Sequence, residues 1–305
     1  MTGTVQEAAA INIDQNHEPT SFVVELLPGK AYALQNAFAL DGRVSSYPRS
    51  ARGWSVSNVY LLKEATGAFI LDTGFAAHQK ATLEQIGSLI DEDTPISWVP
   101  LRYNEYMSVG NAMAIADRFN VTHCFLPQAN AALWLDFDLP EARSSNLRMT
   151  STVLRGKLDM AIGTGDSRPV VGFTAPLRLI NTVWVYDPAS LTLFTADSFA
   201  HVWQKTPAGP WLIDHPEDAG DDALVRSFLL NTRYWWLEGV RTGPLREGVA
   251  KVFETYDIET LAPGYGAIIR GRDLVEKQFR IFDEVLASLD RSIQPSRYVD
   301  RDEER

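Results

Sequence analysis

Cysteine is nearly absent. Cys124 is the sole cysteine in 305 residues, so neither an intrachain disulfide nor a cysteine-built metal cluster can form. Positive charge is scarce as well: 28 Lys and Arg stand against 39 Asp and Glu, a formal net charge of −11. A polyanionic partner needs a basic footprint, so neither nucleic acid nor an anionic membrane is an expected partner. No apolar run reaches the about 20 residues of a membrane span. The opening stretch MTGTVQEAAAINIDQNHEPT lacks the basic segment and apolar core of a secretory signal, and a cytoplasmic protein is expected. There is no Gly-rich phosphate loop, nucleophile elbow or Ser/His/Asp spacing. Histidine, with five copies, is thinly spread.

Alternating strands and helices are present. Phe22–Leu27 and Ala31–Leu34 read as short strands around the Pro28-Gly29 turn. Residues 35–53, with Gly, Ser and Pro and no period, read as a loop long enough to be functional or interfacial. Val56–Leu62 and Ala68–Leu71 form a strand pair. Residues 76–92 carry Leu83, Ile86, Leu89 and Ile90 on one helical side. Pro95–Val99 is a buried strand, 108–119 a helix with Ser108 as its N-cap, and Val121–Leu126 the next strand. Over 127–175 the pattern weakens at Gly163, Gly165 and Pro169, with Trp134 and Phe137 as a buried or interfacial patch. Leu177–Tyr186, Leu191–Thr195 and Leu261–Gly264 read as strands, and 217–232, 238–256 and 271–290 as helices. The alternation predicts an α/β layered domain. It spans 21–290, between an N-terminal arm (1–20), mobile or partner-bound, and a charged tail (291–305).

Three stretches carry a resemblance. The first, Asn58–Phe75, ends in Asp72-Thr73-Gly74. The second is Leu193-Phe194-Thr195-Ala196-Asp197-Ser198-Phe199. The third runs Leu261-Ala262-Pro263-Gly264-Tyr265-Gly266 to Arg270, and the tract Arg233-Tyr234-Trp235-Trp236 falls at fitting spacing before it. Together they resemble the metallo-β-lactamase-fold superfamily, and within it the oxygen-binding di-iron (flavodiiron-like) branch. The resemblance covers roughly residues 54 to 290. It implies a four-layer αββα sandwich of two mixed β-sheets flanked by helices.

It also implies metal ligands that this chain lacks. The branch's first motif is H-x-E-x-D-H, and the segment here is Tyr103-Asn104-Glu105-Tyr106-Met107-Ser108. Tyr103 takes the place of the first histidine, Met107 of the aspartate and Ser108 of the next histidine. The third-motif histidine falls at Arg178 or Leu179, depending on a one-residue gap. Tyr265 replaces the last histidine of a motif of the form IAPSHGxIxR. Glu105 and the bridging-type Asp197 survive. Zinc and iron sites of this type need imidazole nitrogens, so no metal centre and no cofactor are expected. A weak divalent cation held through the Glu105 and Asp197 oxygens stays open.

Two acids left without metal resist joint ionisation, unless an arginine, Arg178 or Arg102, supplies the missing cation. Tyr103 and Tyr265 would hydrogen-bond the same acids. Glu105 reads equally as a helix cap, and Asp197 as a brace for its loop. Tyr103, Met107 and Tyr265 read as filler of the vacated site. His201, four residues after Asp197, reads first as a surface or capping histidine and second as a candidate general acid or base. His78 follows the Asp72 turn, while His123 and Cys124 read as core and His215 as surface. Trp203 and Trp211 flank a loop and would line an apolar pocket or fill an interface.

The resulting expectation is a subunit of a hetero-oligomeric hydrolase acting on a small aromatic or apolar compound, with a metal-bearing paralogous subunit doing the chemistry. A metal-independent hydrolase using Glu105 and Asp197 as acid and base is one alternative. A non-catalytic ligand-binding or scaffold protein is the other.

Overall fold

The computed structural model describes residues 9–10, 20–103, 105–128, 149–164 and 167–291. Most of the expected N-terminal arm, the Trp134 and Phe137 patch, and residues 292–305 of the expected tail lie outside these.

Two mixed sheets stack face to face. The first follows chain order through β1 (Ala9–Ala10), β2 (Ser21–Leu27), β3 (Ala31–Leu40), β4 (Gly53–Glu64), β5 (Gly67–Leu71), β6 (Ile96–Val99), β7 (Val121–Leu126) and β8 (Thr150–Val153). It is antiparallel up to β5 and parallel from β5 to β8. The second contains β9 (Lys157–Ile162), β10 (Arg168–Thr174), β11 (Val183–Asp187), β12 (Thr192–Ala196), β13 (Leu212–Ile213), β14 (Thr260–Pro263) and β15 (Ile268–Arg270). Its order is β13-β15-β14-β12-β11-β10-β9, with β12 and β14 parallel.

Strand periodicity builds the layers. Successive side chains of a strand face opposite sides. Val56, Tyr60, Leu62, Phe69 and Leu71 join Val185, Phe194 and Leu261 of the second sheet in the main core. Val59, Leu61, Ala68 and Ile70 instead pack with Ile86 and Ile115 of the helical layer. That layer holds α1 (Gln79–Gly87), α2 (Tyr106–Val109) and α3 (Ala112–Arg118). The opposite layer holds α4 (Asp222–Leu230), α5 (Gly243–Thr255) and α6 (Arg272–Ser288); Phe228, Val249 and Phe282 join the main core. The expected four-layer αββα sandwich is the observed architecture.

Several element boundaries need correction. Residues 35–40 are not loop but the second half of β3, paired with β4 from Ala31↔Leu62 to Leu40↔Gly53. Gln35 and Asn36 interrupt the apolar pattern, yet both are buried with their amide nitrogens paired. Gln35 Nε2 donates to Asn58 Oδ1 (2.9 Å) and Asn36 Nδ2 to Gln85 Oε1 (2.9 Å). The strand expected at 177–186 begins only at Val183. Ala175 N donates to Thr182 O (2.9 Å), closing a hairpin loop between β10 and β11. Ser108 is not an N-cap. Glu105 caps α2 by accepting from Met107 N, and the helix breaks before α3.

Candidate functional site

Asp72 follows β5 in a left-handed conformation, φ +59°, costly for a non-glycine residue and characteristic of functional strand ends. Its Oδ1 accepts from Leu101 N (2.8 Å), which pins the chain leaving β6 and aims Arg102 inward. On the facing sheet β12 ends at Ala196, also left-handed at φ +52°, and turns Asp197 toward the same point.

Arg102 occupies that point with 0% exposure. Its Nη2 donates to Asp72 Oδ2 (2.7 Å), Nη1 to Asp197 Oδ1 (2.9 Å) and Nε to Ser108 Oγ (3.0 Å), while Glu105 Oε2 lies 3.7 Å from Nη1. Arg233, in the turn after α4, closes the outer side. Its Nη2 donates to Glu105 Oε1 (2.8 Å) and to the Tyr106 hydroxyl (3.1 Å), and its Nη1 to Asp197 Oδ1 (3.4 Å). Two guanidiniums thus cross-link three carboxylates between the sheets. The Tyr265 ring lies 5.7 Å from the Arg102 guanidinium carbon, a cation–π separation.

Burial alone would lower the Arg102 pKa, but the carboxylates of Glu105, Asp72 and Asp197 outweigh it and hold the group well above its ordinary value. Arg233 is likewise raised against its burial. Burial raises the Asp72 carboxyl, opposed by Arg102, Ser108 and the Leu101 amide. Burial also pushes the phenols of Tyr234 and Tyr265 up, keeping both neutral. The arginines are therefore permanent cations.

Gly264 completes the fit. A Cβ there would stand 2.9 Å from Arg102 Nη2 and 3.2 Å from Asp72 Oδ2. The related motif carries serine at this point, so the guanidinium and the glycine belong together. The residues present do not fit a di-iron centre. Tyr103, Met107, Ser108 and Tyr265 replace its nitrogen and oxygen donors, and the remaining carboxylates are engaged by guanidiniums. Among the described residues no three His, Cys, Asp or Glu are grouped to hold a metal.

The other sequence candidates separate. Met107 is buried in the core, and Tyr103 packs toward the helical layer while its amide donates to Asn181 O (2.8 Å). Arg178 and Leu179 do not reach the acids. Their hairpin offers backbone, an Arg102–Thr182 bridge, while Arg178 Nη1 donates to Ala175 O (2.6 Å) and Leu179 is 52% exposed. His201 is neither a surface group nor bonded to Asp197. Its Nε2 contacts Ala219 O (3.0 Å) and Gln278 Oε1 (3.1 Å) within the core. Trp203 packs edge-on against buried Tyr47, and Trp211 is itself buried with Nε1 donating to Pro207 O (2.9 Å). His123 is not core: it is partly exposed, its Nδ1 beside Thr150 Oγ1 (2.6 Å). The sequence reading missed Asp72, Arg233 and Gly264 as members of the site. Asp72 and Gly264 stand within the quoted motifs, and Arg233 heads a quoted tract, but none carries a metal-ligand signal.

No family model and no curated protein matches the sequence. Solved structures do. A metal-soaked flavodiiron core from Synechocystis is similar at 15% identity and TM-score 0.64, covering 88% of this chain and 62% of that one. Rubredoxin oxygen:oxidoreductase from Desulfovibrio gigas is similar at 17% and 0.61, covering 87% and 61%. The flavodiiron protein of Giardia intestinalis is similar at 15% and 0.61, covering 87% and 59%. This chain thus spans about three fifths of the length of these proteins. The likeness establishes the metallo-β-lactamase fold as it occurs in flavodiiron proteins, the scaffold to which the sequence motifs pointed. No described helix is long and apolar enough to cross a membrane.

Proposed function

We propose that this chain works as a metal-free subunit beside a partner chain, with catalysis, hydrolytic on the superfamily analogy, residing in a metal-bearing paralogue. The observation that carries this reading is the pair of guanidiniums at the point where the resemblance implies a di-metal centre. A general base needs a carboxylate free to take a proton. Here Glu105 accepts from Arg233 on one oxygen and from the Met107 amide on the other, and Asp197 accepts from both arginines. That disfavours Glu105 and Asp197 as an acid–base pair. The donor set likewise gives no reason to extend the oxidoreductase activity named for the Desulfovibrio gigas protein to this chain.

The rim of the centre supports a partner. Among the described residues the large exposed apolar side chains are Tyr106 (42%), Leu179 (52%) and Trp235 (52%). Tyr106 accepts from Arg233, Trp235 follows two residues after it, and Leu179 sits in the hairpin bridged to Arg102. Aromatic residues and arginine are enriched in interface hot spots. Native mass spectrometry of the chain purified from its own host should therefore reveal a second chain of the same fold. Trp235→Glu and Leu179→Glu should release it without changing the melting temperature of this chain. A monodisperse chain with catalytic activity of its own would overturn the reading.

A further inference from the structure

The parallel strands β5 to β8 all end along one edge of the first sheet. In open α/β sheets, ligands bind outside the carboxyl ends of parallel strands. Asp72 and Arg102 fill the positions after β5 and β6. The ends of β7 and β8, together with the β10–β11 hairpin, enclose a cleft of about 240 Å³ lined by Pro127, Leu154, Arg155, Arg178, Asn181 and Thr182 among others. At about 30 Å³ per water molecule that is room for about eight waters, the scale of a small organic acid or a phosphate group.

The lining includes two arginines and no carboxylate, in a chain whose net charge is −11. Among the described residues neither Arg155 nor Arg178 takes part in an ion pair. Arg178 commits Nη1 to Ala175 O, and a guanidinium has further donors to offer. The wall that carries Arg178 is held in place from the filled centre. Val183 N donates to Leu101 O (2.7 Å), Tyr103 N donates to Asn181 O (2.8 Å), and Thr182 bridges Arg102. Across the cleft the chain turns from β8 to β9 at Gly156, φ +64°, where a Cβ would meet open space.

We infer that this cleft binds a small oxyanion, a carboxylate or phosphate group on a small molecule, through Arg178 and Arg155. Planar guanidiniums match both groups with paired hydrogen bonds. The inference stands apart from the proposed partner role and applies to the chain alone or in complex.

Calorimetric titration of the full chain, with its partner if one copurifies, tests it with inorganic phosphate and with succinate. Sodium chloride at matched ionic strength is the control. Saturable binding of at least one probe, absent with chloride, is expected. Arg178→Gln and Arg155→Gln alter exposed side chains, so both should melt as the wild type does. Each should weaken binding by about tenfold or more, with Arg178→Lys retaining part of the affinity. Preference for phosphate assigns phosphate esters as the ligand class, and preference for succinate assigns carboxylates. No saturable binding of either probe, or affinity unchanged in both glutamine variants, would overturn the inference.

Discussion

At the scale of single residues, Arg102 matters most, because it is the buried cation on which Asp72 and Asp197 depend. A buried ion pair is worth little against a well-packed apolar substitute, but removing one partner strands the other's charge at a cost of about 3–5 kcal/mol. Arg102→Met should destabilise by that amount in urea unfolding. Adding Asp72→Asn and Asp197→Asn should recover part of the loss, since the stranded charges are then gone. Further destabilisation by the asparagines would show that packing, not charge, is what Arg102 supplies. His201 offers a pH test. Burial lowers its pKa to about 4, from an ordinary value of 6.5. The folded state keeps the ring neutral while the unfolded chain protonates it. Its contribution is complete above about 6.5, is lost as pH falls toward about 4, and amounts to about 3 kcal/mol. His201→Gln should flatten the pH dependence of stability across that window. An unchanged acid slope in the variant would assign the slope to other groups.

At the scale of elements, legibility followed periodicity. The β4–β5 pair reads as two short runs around a Gly turn, buried on both faces, α1 and α6 carry apolar residues at helical spacing, and each was placed within a few residues. The second half of β3 was hidden because the Gln35 and Asn36 amide nitrogens donate to other buried polar groups, a pairing that only tertiary structure supplies. Strands β8 to β10 were missed for a related reason. Pro169 stands inside β10 as a strand residue, and a rule that treats proline as a breaker reads past it. The site divides similarly. Glu105, Asp197 and Tyr265 stood in the motifs, while Arg102 was only one of two arginines, with Arg178, offered for the charge that the lost metals leave uncompensated. Arg233 lies 128 residues from Glu105 in sequence, and nothing local marks that pairing. Gly264 could have signalled Arg102, since a small residue in place of serine announces that something bulky approaches.

At the scale of the whole molecule, the sandwich holds its two sheets together at the point where a metalloenzyme would place its ions. Asp72 comes from the first sheet and Asp197 from the second, and Arg102 joins them. The cross-link is covalently part of the chain, so the folded state should owe nothing to metal availability. A metal that binds only the folded state stabilises by RT ln(1 + [L]/Kd), about 2.7 kcal/mol at a hundredfold excess over Kd. In a domain of some 150–250 residues each kcal/mol moves the melting temperature by about 2–4 °C, so even a larger chain would show such binding as a shift of several degrees. Ferrous, zinc or manganous salts should leave the melting temperature of the full chain where it stands, and dialysis against chelator should not lower it. A saturable rise reversed by chelator would mean that a metal can displace Arg233 or Arg102 from the acids, and the metal-free reading would fall with it.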